Sequence, residues 1–205
     1  MKLNKSALLA FGILLIAASL YRAWDGRPFG FAPQLAMAIF GGAVIGNKKL
    51  AFILPLLSML ISDTIYQVLY MNGLFSYPGF YQAPGFFDSQ FMHYGLFALM
   101  TLFGFLMKKV TALRVLAFGV SGSVLYFLLS NLFVWLGNGG FARPKTAEGL
   151  MQCYGDGLAF FRDYGLFKGF YGNFVVGDLF FCFLLFGTFA LLRRFITDPR
   201  KELAR

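Results

Sequence analysis

Apolar runs recur six times along this chain, at approximately 6–23, 32–46, 50–70, 91–107, 113–137 and 172–195. A helix needs about 20 mainly apolar residues to cross the hydrocarbon of a bilayer, and most of these runs reach or approach that length. Hydrophobic residues make up 59% of the 205 and charged residues only 13%, which is the composition of a membrane protein. The expectation is one all-α membrane domain of six packed transmembrane helices. The second run is short and reaches only about 22 Å at 1.5 Å per residue. It should therefore pack among its neighbours and not face lipid along its full length. The first run follows Lys2 and Lys5, and Ala17-Ala18-Ser19 could serve as a weak signal cleavage site. Arg22, Trp24 and Asp25 come directly after it, as for an anchor meeting an interface, so it reads as a retained span.

The loops give the six runs one orientation. With the N-terminus in the cytoplasm, the inner segments hold twelve of the 18 Lys and Arg and the outer segments hold Arg22, Arg27, Arg143, Lys145, Arg162 and Lys168. Five acids, Asp25, Asp88, Glu148, Asp156 and Asp163, offset the outer cations, whereas only Asp198 and Glu202 offset the inner ones. This is the positive-inside pattern, with both termini cytoplasmic. It also accounts for the formal net charge of +9 without nucleic acid as a partner. The expected location is a bacterial inner membrane, with the lipid bilayer as the principal partner.

Two outer loops are unusual. The segment 71–90 reads M-N-G-L-F-S-Y-P-G-F-Y-Q-A-P-G-F-F-D-S-Q, with no Lys or Arg. Its P-G pairs imply turns. Its rings suit the headgroup region, either as a plug shielding helix ends or as a lid over a cavity, with Tyr77, Phe80 and Tyr81 as lid residues. The last outer loop predicts a helix from Thr146, because Ala147, Leu150, Met151, Tyr154, Leu158 and Phe161 recur at helical spacing opposite Glu148, Gln152 and Asp156. This helix is expected to lie flat on the outer surface, or to serve simply as a connector.

Charges within lipid are expensive and generally face a protein interior or a cavity. Asp63 and Asp178 are the two acids inside the apolar runs. Counting along the spans puts Asp63 about 20 Å from the inner end of its run, and Asp178 and Asn131 each about 9 Å below the outer surface. His93 and Gln34 open their spans on the same side, whereas the inner half holds only small hydroxyls such as Ser58, Thr101, Ser121, Ser123 and Thr188. That asymmetry describes a pocket openable to the outside, not a proton or ion path across the membrane.

Helical spacing aligns Asp63, Tyr66, Gln67 and Tyr70 on one stripe, and Asn131 with Trp135 on another. Aromatic walls with a few fixed polar groups suit a small organic ligand, and two acids without an intramembrane Lys or Arg favour one with cationic or donor groups. The substrate-binding candidates are thus Asp63, Tyr66, Gln67, His93, Asn131, Trp135 and Asp178. Each has a structural alternative. Asp63 could bond a neighbouring helix, Asp178 could pair with Arg143, Arg162 or Lys168, Asn131 could join two helices, and Trp135 and His93 could be interface residues.

Enzyme chemistry finds little footing. A single His, no HExxH and no GxSxG argue against metal or serine hydrolase sites, and Cys153 and Cys182 form no CxxC. An aspartyl mechanism would require Asp63 and Asp178 to share a proton. No metal or cofactor is expected. A non-transport scaffold or assembly protein, whose polar residues only join helices, is the alternative function from another class. In the second run Ala38, Gly42 and Gly46 repeat every four residues, a ladder for close helix contact within the bundle or for docking another membrane subunit.

Four stretches carry a family resemblance: F-A-P-Q-L-A-M-A-I-F-G-G (31–42), N-K-K-L-A-F-I-L-P-L-L-S-M-L-I-S-D (47–63), R-P-K-T-A-E-G-L (143–150) and G-N-F-V-V-G-D-L-F (172–180). With them, the chain resembles the substrate-binding S component of energy-coupling factor (ECF) vitamin transporters. More narrowly, it is similar to an uncharacterised bacterial family of S-component-like transport proteins. The resemblance implies capture of a vitamin-like solute outside and uptake by toppling of the bundle on a transmembrane coupling subunit driven by two ATPase subunits. Nucleotide would bind those subunits, since this chain has no GxxxxGK[ST]. S components typically carry an Ala-x-x-x-Ala docking motif in the first helix. Here that helix reads S-A-L-L-A-F-G, and Ala32 and Ala36 hold the spacing at the start of the second run instead.

Overall fold

The computed structural model describes residues 5–24, 26–74, 86 and 90–196. Those residues form seven helices in the order α1 (Lys5–Ala23), α2 (Gln34–Val44), α3 (Lys48–Met71), α4 (Gln90–Gly104), α5 (Ala112–Leu136), α6 (Ala147–Tyr164) and α7 (Asn173–Ile196), with no strand among them. The proposed lid residues Tyr77, Phe80 and Tyr81 lie outside the described residues.

Three helix starts are written into the sequence as caps. The Asn47 side chain accepts from the backbone N–H of Lys49 at 3.0 Å and of Leu50 at 3.3 Å, opening α3. Thr111 Oγ1 accepts from Arg114 N to open α5, and Thr146 Oγ1 from Gly149 N to open α6. Each satisfies a backbone donor the helix cannot satisfy itself and stabilises it by about 1 kcal/mol.

α3, α5 and the Asn173–Leu192 part of α7 are long and apolar enough to cross a membrane, while Ala10–Ala23 and Gln34–Val44 are shorter apolar helices. The expected spans at 32–46 and 91–107 shorten to 11 and 15 helical residues. At 1.5 Å per residue these reach about 17 and 23 Å. The fourth run stops early because the chain leaves the helix after Gly104 and turns, with Met107 N donating to Gly104 O at 3.0 Å.

α2 is short because it is the centre of the bundle. Ala36, Met37, Ala38 and Ile39 are wholly buried, and the helix packs against α3, α4, α5 and α7. Its closest neighbour is α4. A Cβ on Gly42 would collide with the Thr101 carbonyl oxygen and lie 2.9 Å from the Gly104 backbone, and one on Gly104 would lie 2.5 Å from the Ile39 carbonyl oxygen. Only glycine permits that approach. The small-residue ladder is therefore used inside the chain. Ala38 is buried, Gly42 is partly buried against Gly104, and Gly46 lies exposed beyond the helix end.

The C-terminal ends of α1, α3 and α5 meet the N-terminal ends of α2, α4 and α7 at one end of the bundle. α6 covers part of that end. Tyr154 Oη donates to Leu128 O at 3.3 Å, Cys153 Sγ contacts Asn131 O at 3.6 Å, and Trp135 Nε1 reaches back to Pro144 O at 2.8 Å. The opposite end carries the exposed Lys48, Lys49, Lys108, Lys109 and Arg114.

Candidate functional site

A cavity of about 290 Å³ opens at the α6-covered end. Three groups of side chains line it. α1, the following loop and α3 supply Arg22, Arg27, Asp63 and Tyr66, α4 supplies Gln90, His93 and Phe97, and α5 and α7 supply Ser123, Tyr126, Phe127, Phe174 and Asp178. Gln34 and Leu35 at the start of α2 lie between them, and Phe29 and Phe161 reach in from the α1–α2 loop and α6.

Gly30 shapes the loop that delivers Arg27 and Phe29. Its φ of +79° is open to glycine at little cost, and a Cβ there would lie 3.0 Å from the Phe161 ring. The loop is tied down by Arg27 Nε, which donates to Arg22 O at 2.8 Å.

Asp63 is the hub of the first wall. Its side chain is 1% exposed and forms an ion pair with Arg22, whose own side chain is 17% exposed. Arg22 Nη1 also donates to Ser62 Oγ at 2.5 Å. The other carboxylate oxygen accepts from Gln90 Nε2 and from Tyr94 Oη, the latter at 2.8 Å. A buried carboxylate is tolerated when a cation and further donors share it. Tyr66 completes the wall, donating to Arg22 O beneath the guanidinium, which sits 5.6 Å from its ring centroid.

Asp178 occupies the other wall. It accepts from Ser123 Oγ at 2.5 Å, holding α7 to α5. Two of the three outer cations considered for it are engaged elsewhere: Arg143 forms a two-point pair with Asp156, at 2.8 and 2.9 Å, and Arg162 pairs with Asp163, while Lys168 is exposed and makes no ion pair with Asp178. No contact joins Asp63 to Asp178 among the described residues, so the geometry supplies no shared proton of the aspartyl kind.

Aromatic stacks line the space between. Phe97 lies on Tyr126 with centroids 5.0 Å apart, and Phe127 lies on Phe174 at 4.9 Å. Phe161 closes on Phe174 at 5.0 Å, and His93 Nδ1 is 2.9 Å from Tyr126 Oη.

Two buried amides are incompletely bonded. Gln90 is 2% exposed and Gln34 1%, and the Oε1 of each has no hydrogen-bond partner among the described residues. Gln90 cannot relieve this by turning its amide over, because Nε2 must face the acceptor-only carboxylate of Asp63. Gln34 Nε2 faces Ser58 Oγ at 3.2 Å, and a hydroxyl would accept either orientation.

Of the candidate binding residues, Asp63, Tyr66, His93 and Asp178 line this cavity, and Gln67, Asn131 and Trp135 are not among its lining residues. Asn131 Nδ2 turns back along its own helix to Phe127 O at 2.9 Å, and its side chain sits where a Cβ on Gly157 of α6 would fall. It joins α5 to α6. Trp135 likewise holds the α5–α6 connection through Pro144, with Lys145 Nζ 4.9 Å from its ring centroid. Gln67 is half-buried and Tyr70 is 41% exposed, so the α3 stripe turns away from the cavity after Tyr66.

The expectation of a cavity with acids and no cations is overturned, since both Arg22 and Arg27 enter it. Ser58 and Ser123, assigned to a plain inner half, bond Gln34 and Asp178. A signal for part of this was present. Ser19 and Arg22 lie three apart on α1, and Ser58, Ser62 and Tyr66 lie four apart on α3. Two polar seams of helical period predict a facing pair of helices.

No curated protein and no solved structure matches the chain. A family model described as a family of unknown function (DUF6580) matches residues 1–200, and the chain belongs to that family.

Proposed function

We propose that this chain is a multi-pass membrane protein that binds a small organic solute in the cavity and mediates its uptake, in the manner of an S component. In this reading α1 to α5 and α7 are six spans, and both termini face the cytoplasm of a bacterium. The cavity faces the outside, beneath α6.

The membrane setting is supported by the outer face of α5. Leu113, Leu116, Val120, Val124 and Leu128 follow a helical stripe and are each between 38% and 75% exposed. Such a stripe is costly in water and ordinary in lipid. The basic residues at the end away from the cavity support the proposed orientation.

Gln90 Oε1 is the observation that carries the binding reading. A buried, unbonded acceptor costs about 1–3 kcal/mol, and the residue that carries this one lines a cavity among stacked rings and charged groups. A solute that draws the Gln90 amide toward the cavity and donates to it would recover that cost. The volume lies near the lower end of small-molecule sites, roughly 300–1,000 Å³, so the solute is small. The resemblance to S components extends the reading to a vitamin-like solute and to a coupling subunit with two ATPase subunits as partners.

The scaffold reading draws on Asn131, Ala38 and Gly42, all spent on helix packing. Native mass spectrometry of the detergent-purified chain separates the two. The transport reading expects a co-purifying small molecule, lost on Asp178→Leu exchange, and a raised unfolding temperature with one member of a vitamin panel. A clean apo spectrum with no thermal shift across the panel would overturn it in favour of the scaffold.

A further inference from the structure

Four ionisable side chains meet in the cavity, but two of them pair off. Arg22 and Asp63 form a buried pair, with the remaining carboxylate oxygen taken by Gln90 and Tyr94. What is left is one guanidinium and one carboxyl group on different walls. Arg27 comes from the α1–α2 loop, tied to Arg22 O and facing Tyr66 Oη at 3.4 Å. It has no carboxylate partner among the described residues. Asp178 comes from α7 and accepts only from Ser123, through Oδ2. Its Oδ1 has no hydrogen-bond partner among the described residues.

Both groups sit in a space walled by the Phe97–Tyr126 and Phe127–Phe174 stacks. A guanidinium without a counter-ion and a carboxyl group with an unused oxygen are each incompletely satisfied near such walls, and a ligand of one sign would satisfy one wall and leave the other. A flat ring between the stacks, bearing an anionic group and an ammonium or N–H group at opposite ends, satisfies both.

We propose that the cavity selects a flat-ringed zwitterion, its anionic end at Arg27 and its N–H cationic end at Asp178. This rests on the reading of the cavity as a solute site, and it adds an anionic end to the cationic or donor groups expected from the sequence.

The test uses the full chain in detergent and three probes on one ring: 4-(aminomethyl)benzoate as zwitterion, 4-methylbenzoate as anion and 4-methylbenzylamine as cation, titrated calorimetrically at neutral pH. The zwitterion should bind at least about tenfold more tightly than either single-charge probe. Arg27→Gln should bring it down to the affinity of the cation probe, which itself should change less than about twofold. Asp178→Asn should do the converse with the anion probe. Should Arg27→Gln or Asp178→Asn fail to fold, Arg27→Lys and the wild-type probe ranking still decide the matter. A single-charge probe binding as tightly as the zwitterion overturns the proposal and leaves the solute site standing. Binding of none of the three, together with silence across the vitamin panel, overturns both.

Discussion

The Arg22–Asp63 pair makes the sharpest energetic prediction, through the exchange Asp63→Asn. The native carboxylate is 1% exposed and takes donors on both oxygens: Arg22 on one, Gln90 and Tyr94 on the other. Asparagine keeps the shape but turns one oxygen into a donor. That NH2 must face either the guanidinium or the Gln90 amide and Tyr94 hydroxyl, so one set of donors loses its acceptor. Removing one partner of a buried pair costs about 3–5 kcal/mol. Arg22 retains 17% exposure toward the cavity, which places the expected loss at the low end, about 3 kcal/mol. Exchanging both partners, Arg22→Met with Asp63→Leu, leaves no uncompensated charge and should recover most of that loss, giving a coupling of about 2–3 kcal/mol. Unfolding in mixed micelles titrated with SDS measures all four corners of the cycle. Circular dichroism reports the whole chain, and in a Trp135→Phe background the fluorescence of Trp24, two residues past Arg22, reports the pair. A loss under about 0.5 kcal/mol for Asp63→Asn, or a double exchange costing the sum of the singles, would refute the pairing as the keystone of this wall.

Two further outcomes follow from the packing and are read by the same SDS titration. Gly104→Ala places a Cβ 2.5 Å from the Ile39 carbonyl oxygen and should cost about 1–3 kcal/mol by forcing α4 off α2, whereas Gly155→Ala, where a Cβ meets nothing within 4 Å, should not. Asn131→Ala should cost no more than about 1–2 kcal/mol, through the α5–α6 contact, and leave any ligand-induced thermal shift intact. Phe127→Ala, which removes one ring of the cavity stack, should abolish that shift.

Helix boundaries were legible because they are local. Asn47, Thr111 and Thr146 are caps whose chemistry is complete within three residues, and the α3, α5 and α7 boundaries fall within two residues of the apolar runs. The position of a polar residue along its helix was also legible, since rise per residue is fixed. Direction around the helix was not. Asn131 has an end-of-span depth that suits the pocket, yet its amide bonds Phe127 O four residues back and meets α6. Periodicity fixes which residues of one helix share a face, and only the neighbouring helices fix what that face sees. Asp63 and Tyr66 were therefore grouped correctly, while the further members Gln67 and Tyr70 needed the positions of α1 and α4 to be set aside.

The arginines show why charge at a span end has two meanings. Counted for topology, Arg22 and Arg27 are outer-loop cations offset by nearby acids. Placed in space, Arg22 folds back to Asp63 and Arg27 follows it through the Arg22 carbonyl, so the same residues become the electrostatics of the cavity. Both residues still lie at the end opposite Lys48, Lys49, Lys108 and Lys109, so the reassignment leaves the expected topology unaltered as an expectation. The ligand preference does not survive it. An acid-only pocket would recruit a cation, and removing Asp63 from the balance while adding Arg27 converts that demand into one for both signs. A span-end arginine within reach of an intramembrane acid thus belongs first to the acid, and the ligand is read from the charges that remain after such pairs are struck out.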